Sequence, residues 1–264
     1  MINNFKLYAH IFGQMFKMDL IVFKKKVISG IFDLIIWISI LLLIFTHVYP
    51  LLGMTRNFGE FWAVGAIGSC CVFEIWGYVA NFISDKKGDR TIDYFLSLPI
   101  PSWLVFIRFV ISSAFRTSVY SILIIPLSKL IIWDRMDLSN FMPIQFLVMF
   151  LTVNIFFGFF TLLMSTIPED ITQIRRVWVR LVFPMWFLSG VEFPWYTIHN
   201  KLSSKISYIL LLNPMLYTME GVRATVLGQQ NYISFWICLI VLWSLIIIFG
   251  FTSIFILKKQ LDCC

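Results

Sequence analysis

The chain has 264 residues, of which 59% are hydrophobic, 18% aromatic and only 13% charged, against about a quarter charged in a soluble domain. That composition excludes a water-soluble globule and leaves too few polar residues for a separate catalytic domain, so residues 1–264 read as one integral membrane domain. The formal net charge of +7 is accounted for by membrane orientation and anionic headgroups and gives no argument for nucleic acid.

Residues 1–26 read as an N-terminal interfacial amphipathic helix. On a 100° wheel Lys6, His10, Gly13, Gln14, Lys17 and Lys24 share one narrow face, with Ile, Phe, Leu and Met over most of the rest. Asn4 and Asp19 fall off that face. A helix packed against a partner element would show the same pattern. A cleavable signal is disfavoured, because the basic stretch before the apolar run is long and no small-residue cleavage site follows it.

Apolar runs long enough to cross a bilayer follow at residues 27–48, 58–83, 103–133, 143–167 and 233–257. The first holds Asp33, the second Glu60 and Glu74, and the third Arg108, Arg116 and Lys129. Charges inside spans are costly and face protein, a pathway or one another. Pairing of Arg108 with Glu74 between helices is the favoured expectation, with a polar cargo path as the alternative. Arg108 and Arg116, eight apart, sit near one helical face.

Between the fourth run and the last lies a region broken by Arg180, Pro184, Gly190, Glu192, Pro194, Asn213, Pro214, Glu220 and Arg223. Charge bias arbitrates its topology, since short cytoplasmic segments are rich in Lys and Arg. Lys6, Lys17, Lys24, Lys25, Lys26, Lys86, Lys87, Arg90, Arg175, Arg176, Arg180, Lys258 and Lys259 are 13 of the 21 basic residues, and they fall on segments that put both termini inside. An even number of spans follows. The expected fold is therefore an all-α membrane protein with six transmembrane helices, residues 177–198 forming the fifth. Residues 199–230 form a re-entrant segment between spans five and six, facing outside. Lys201, Lys205 and Arg223 then also lie outside, a mild conflict with the rule.

Pro214 lacks a donor and clashes with the preceding turn, and unpaired backbone is tolerated at membrane depth only under cover of protein or beside a water-filled cavity. Glu220 and Arg223 are three apart and share a helical face. A structural clip for the outer cap is favoured for this pair over direct contact with substrate.

The connection at residues 84–101, SDKKGDRTIDYFLSLPIP, opens with charges and Gly88, continues as a short segment with Ile92, Phe95 and Leu96 at helical spacing, and closes on Pro99 and Pro101. Such a helix offers a surface for a partner to grip or simply packs on the bundle. Cys70, Cys71, Cys238, Cys263 and Cys264 show no metal or redox spacing. Dense aromatics near span ends, among them Trp103, Trp133, Trp195 and Tyr196, are explained by interfacial anchoring. No phosphate-binding, zinc-protease or serine-hydrolase motif occurs, so no catalytic or metal site is expected, and energy coupling would need another polypeptide.

Taken together, the basic arm, the 84–101 loop, SGVEFP at residues 189–194 and NPMLYTMEGVRATVLG from Asn213 resemble the membrane subunit of ABC-2 type exporters, a family of drug, lipo-oligosaccharide and polysaccharide permeases. The match to Asn213, Pro214, Tyr217, Glu220, Arg223 and Gly228 is the most specific part. The resemblance implies a multi-pass subunit of a bacterial inner membrane, two copies of which form the path as a homodimer. A separate ATPase subunit holds ATP and Mg, since this chain carries no cofactor. It also implies a coupling helix over residues 89–98, with Asp89, Arg90, Ile92, Phe95, Leu96 and Leu98 facing the ATPase. Gly190, Pro194, Asn213, Pro214, Tyr217, Glu220 and Arg223 would form an outer gate. The FKKK before the first span departs from the Arg-Tyr pattern of polysaccharide exporters, which leaves the cargo open. An ion-coupled transporter or channel, and a membrane enzyme acting on lipid, are the competing classes.

Overall fold

The computed structural model describes residues 2–53, 55, 57–88, 90–133, 136–201 and 204–261. The described residues form helices and connections without strands. α1 (Ile2–Leu43) passes through a π-turn at Ile44–Val48 into α2 (Tyr49–Leu51), and α3 (Phe58–Lys87), the short α4 (Thr91–Leu96), α5 (Ser102–Ile132) and α6 (Pro143–Met164) follow. α7 (Ile171–Val177), a π segment at Trp178–Val182 and α8 (Phe183–Phe187) make one helical run. α9 (Trp195–Lys201), α10 (Ser204–Leu210), α11 (Pro214–Val226) and α12 (Phe235–Leu261) complete the chain. Among the described residues five helical runs are long and apolar enough to cross a membrane, at Phe5–Leu51, Phe58–Lys87, Ser102–Ile132, Pro143–Met164 and Phe235–Leu261. The architecture is that of a multi-pass helical membrane protein.

The ends of the bundle are identified by what ties them. At the basic end Lys87 pairs with Asp170 at 3.5 Å, and the Gln260 side chain donates to the Thr166 carbonyl at 3.0 Å. At the opposite end the Asp137 amide donates to Glu60 at 2.9 Å, and the Met142 amide to the Thr225 carbonyl at 2.9 Å. α6 therefore ends at the basic end and α12 begins at the other, so residues 165–234 carry the chain from one to the other.

That passage differs from a simple fifth span at 177–198. Helix occupies residues 171–187, about 25 Å at 1.5 Å per residue, and SGVEFP is a turn in which Gly190 sits at φ +78°. Gly190 is required there: besides its left-handed backbone, a Cβ would lie 2.8 Å from the Phe193 carbonyl oxygen.

The N-terminal arm also differs from a separate element lying on the membrane. No helix break occurs at residue 26, and α1 runs for 42 residues, about 63 Å or twice the hydrocarbon thickness. Tyr8, Ile11, Met15, Asp19, Phe23, Val27, Gly30, Leu34, Ile38 and Leu42 repeat every three or four residues and form its inward stripe, while the basic face remains exposed. The lower half of this stripe lies along α5. Phe16 and Phe23 meet Phe115 edge-on at 6.0 and 6.1 Å, and Phe23 meets Tyr120 at 5.8 Å. Residue numbers rise together on the two helices, so they run parallel.

The main core is a cluster reaching from Ile38 to Leu257, with α11 at its centre, and a second, smaller cluster gathers around Met15 at the basic end. All 13 residues of α11 are buried. It approaches α3 closely because small residues line that face of α3: a Cβ on Gly68 would lie 2.8 Å from the Thr218 carbonyl oxygen, and one on Gly65 would strike the Arg223 guanidinium. Gly68→Ala should cost about 1–3 kcal/mol by overpacking, read as a melting temperature several degrees lower in detergent. Gly77→Ala, where a Cβ meets nothing within 4 Å, should leave melting unchanged or raise it slightly.

Candidate functional site

Asn213-Pro214 begins a helix where the sequence suggested a break in one. The Asn213 Oδ1 accepts from the Met215 amide at 3.1 Å, an N-cap. Pro214 then takes the first helical turn, where its missing N–H is not needed. The other half of the Asn213 amide donates to the Met185 carbonyl at 2.6 Å, at the end of the helical run over 171–187. The Tyr217 hydroxyl donates to the Leu211 carbonyl at 2.8 Å. Gly228, at φ +96°, closes the helix.

Near the far end of α11, Arg223 and Glu220 are fully buried, with 0% of either side chain exposed. Arg223 Nη1 donates to the Gly190 carbonyl at 2.6 Å, Nη2 to the Val191 carbonyl at 3.0 Å and Nε to the Phe61 carbonyl at 3.2 Å. Its guanidinium carbon lies 3.6 Å from the centroid of the Phe61 ring. Glu220 accepts from the Trp195 amide at 3.2 Å and the Ile233 amide at 3.1 Å. The direct contact between the two charges, at 3.9 Å, is looser than any of these five bonds. Each side chain therefore serves backbone first. Arg223 ties the SGVEFP turn to the start of α3, and Glu220 ties the start of α9 to the approach to α12. Pro194 precedes α9 within this web. With both charges enclosed and occupied, the arrangement is a structural clip and offers no surface to a solute.

At the basic end, Asp85 closes the N-terminus of α4 by accepting from the Thr91 amide at 3.1 Å and the Ile92 amide at 2.9 Å. Arg90, at φ +49°, turns the chain into it; Asp89 lies outside the described residues. α4 spans Thr91–Leu96, shorter than the 89–98 expected. Phe95 points inward, into a cluster with Met15, Ile100 and Val105 packed by Leu96 and Leu98, and the Arg108 guanidinium carbon lies 4.1 Å from the centroid of its ring. The residues facing out are Arg90, Thr91, Asp93, Tyr94 and Ser97, with Tyr94 61% exposed. Phe95 and Leu96 therefore hold α4 to the arm, and Tyr94 is its large exposed side chain.

The expected pair of Arg108 with Glu74 is not formed. Arg108 engages Asp19 of the arm, Nε to Oδ2 at 3.0 Å and Nη2 to Oδ1 at 3.3 Å. Glu74 lines a cleft with Tyr120, and Tyr120 stands about 18 Å along α5 from Arg108, twelve residues at 1.5 Å each. Arg116 donates to the Asp19 carbonyl at 3.4 Å. Glu60 receives the Asp137 amide and is spent on the loop after α5. In that loop the Ser139 amide donates to the Asp137 carboxylate at 2.8 Å, holding its carboxyl below the usual carboxylate range. Asp33 and Glu74 both line the cleft beside Tyr120. Asp19 and the α3 glycines were not singled out as site residues, although Asp19 is the arm's one acid and falls off the polar face.

Arg223→Ala should destabilise the protein by about 3–5 kcal/mol, the cost of breaking a buried ionic network from one side, and Arg223→Lys should restore only part of it because an ammonium does not match three carbonyls in a fixed fork. Chemical or thermal unfolding of the purified chain in detergent reads both. A comparison with protein-family models and with curated proteins finds no match for this chain.

Proposed function

We propose that the chain is the permease subunit of an ATP-driven exporter of the ABC-2 type, coupled through α4 to a separate ATPase that holds ATP and Mg. In this reading the basic end faces the cytoplasm of a bacterium with both termini there, and two copies form the path. The helical run over 171–187 is the fifth span, and residues 195–226 are the outer re-entrant region before the sixth. The observation that carries the reading is α4: a short helix between two spans at the basic end, capped by Asp85 and held down through Phe95, Met15 and Arg108. Its outward face stays free. A helix held on three sides transmits a push on that face into α3, α5 and the arm together. The buried clip at Glu220 and Arg223 supports an outer cap held shut by backbone bonds, one that opens only when α3 and the SGVEFP turn move apart.

The test is affinity capture of the tagged chain from its native membrane, identification of any ATPase that co-purifies, and transport in vesicles with and without ATP. Capture of an ATPase is expected, with transport lost on ATP depletion. Tyr94→Ala should lower ATP-driven transport at least tenfold without changing the melting temperature, whereas Phe95→Asp should lower melting itself. Transport that survives ATP depletion with no ATPase captured would transfer the chain to the ion-coupled class.

A further inference from the structure

A cleft of about 280 Å³ lies between α1, α3, α5 and α8, apart from both the clip and the α4 face. Its walls are mainly apolar and include Trp37, Trp62, Phe73, Tyr120 and Trp186. Trp37 of α1 meets Phe73 of α3 edge-on at 5.8 Å, and Phe73 meets Trp186 of α8 at 5.3 Å, so one aromatic wall spans three helices. Two carboxylates, Asp33 and Glu74, line the same cleft, and among the described residues no lysine, arginine or histidine does. Arg116, the cation that acts on Glu74, is directed to the Asp19 carbonyl at 3.4 Å and the Tyr78 ring at 5.3 Å. Neither acid has a hydrogen bond or an ion pair within 4.0 Å among the described residues, whereas Glu60 and Glu220 are bonded to backbone amides and Asp19 to arginine.

A carboxylate in an apolar span is costly unless a positive charge or polar partner meets it, and here Glu74 meets Arg116 only beyond ion-pair distance while Asp33 has no bonded partner among the described residues. Aromatic faces attract organic cations, most strongly where water is excluded. A concave, mainly apolar pocket with a few polar groups is the ordinary form of a small-molecule site. Lipid or detergent tails would fill the aromatic wall without answering the charges, and an anionic ligand would be repelled by both acids. We infer that this cleft binds an amphipathic organic cation, with aromatic or bulky alkyl groups packed on Trp37, Phe73 and Trp186 and its positive charge set between Asp33 and Glu74. That such a cation is exported cargo rests on the permease reading; that it binds does not.

The experiment measures equilibrium binding of radiolabelled tetraphenylphosphonium to the purified full-length chain in nanodiscs of zwitterionic lipid, with tetraphenylborate as the anion of the same shape. Saturable binding of the cation and none of the anion is expected. Asp33→Asn and Glu74→Gln should each weaken binding at least fivefold with unchanged melting, and Trp37→Ala several-fold. Equal binding of cation and anion, or binding indifferent to all three variants, overturns the site. Binding as expected, with no ATP-dependent efflux from vesicles containing the ATPase, overturns the cargo role and leaves the site. ATP-dependent efflux of other solutes without cation binding overturns the site and leaves the permease reading.

Discussion

Backbone polar groups at membrane depth must be paired within the protein, because the hydrocarbon offers them nothing. Most of this chain meets that demand with long helices. Residues 188–201 and 205–213 do not, since turns and two short helices at the end away from the basic residues leave backbone groups such as the Gly190 and Val191 carbonyls and the Trp195 amide without helical partners. Arg223 and Glu220 answer that need. One supplies donors to three carbonyls and the other accepts from two amides. The small face of α3 follows from the same constraint, since Gly65 makes room for the guanidinium and Gly68 for the α11 backbone. So does the Asn213 cap, which lets a helix begin inside protein without exposed N–H groups.

The two ends of the bundle are built on opposite principles. At the end away from the basic residues, charge is enclosed and spent on backbone. At the basic end, charge is shared between elements: Asp19 and Arg108 join the arm to α5, Arg108 carries Phe95 of α4 against its guanidinium, and Asp85 joins α3 to α4. A displacement of α4 is therefore felt by three long helices at once, while the opposite end resists it through the clip.

Four of the long helices were legible in the sequence nearly to their ends, because an apolar run of the right length has few alternatives in a membrane protein. The passage from α6 to α12 was less so. Pro184 and Pro194 read as interruptions, yet Pro184 is taken into the helical run over 171–187 directly after its π segment, and Pro194 lies directly before α9. Asn213-Pro214 likewise read as a break because only burial on all sides reveals it as a start. The pairing of Arg108 was illegible for a different reason: it depends on where the arm docks, which is a tertiary fact. Even so, the sequence held a clue. An acid on the apolar side of an otherwise basic amphipathic helix needs a cation, and Asp19 found one. The direction of Phe95 was open between two faces of a six-residue helix, and the cluster around Met15 decides it.

The central claim is that Glu220 and Arg223 hold the 189–195 turn and α11 as part of the rigid core. Hydrogen–deuterium exchange of the full chain in nanodiscs tests it most directly. The account predicts that amides of residues 195, 215–227 and 233 exchange as slowly as those in the middle of α6, and that Arg223→Ala releases Trp195 and Ile233 together while α6 stays protected. Fast exchange of α11 in the unaltered chain, on the timescale of an exposed loop, would contradict it.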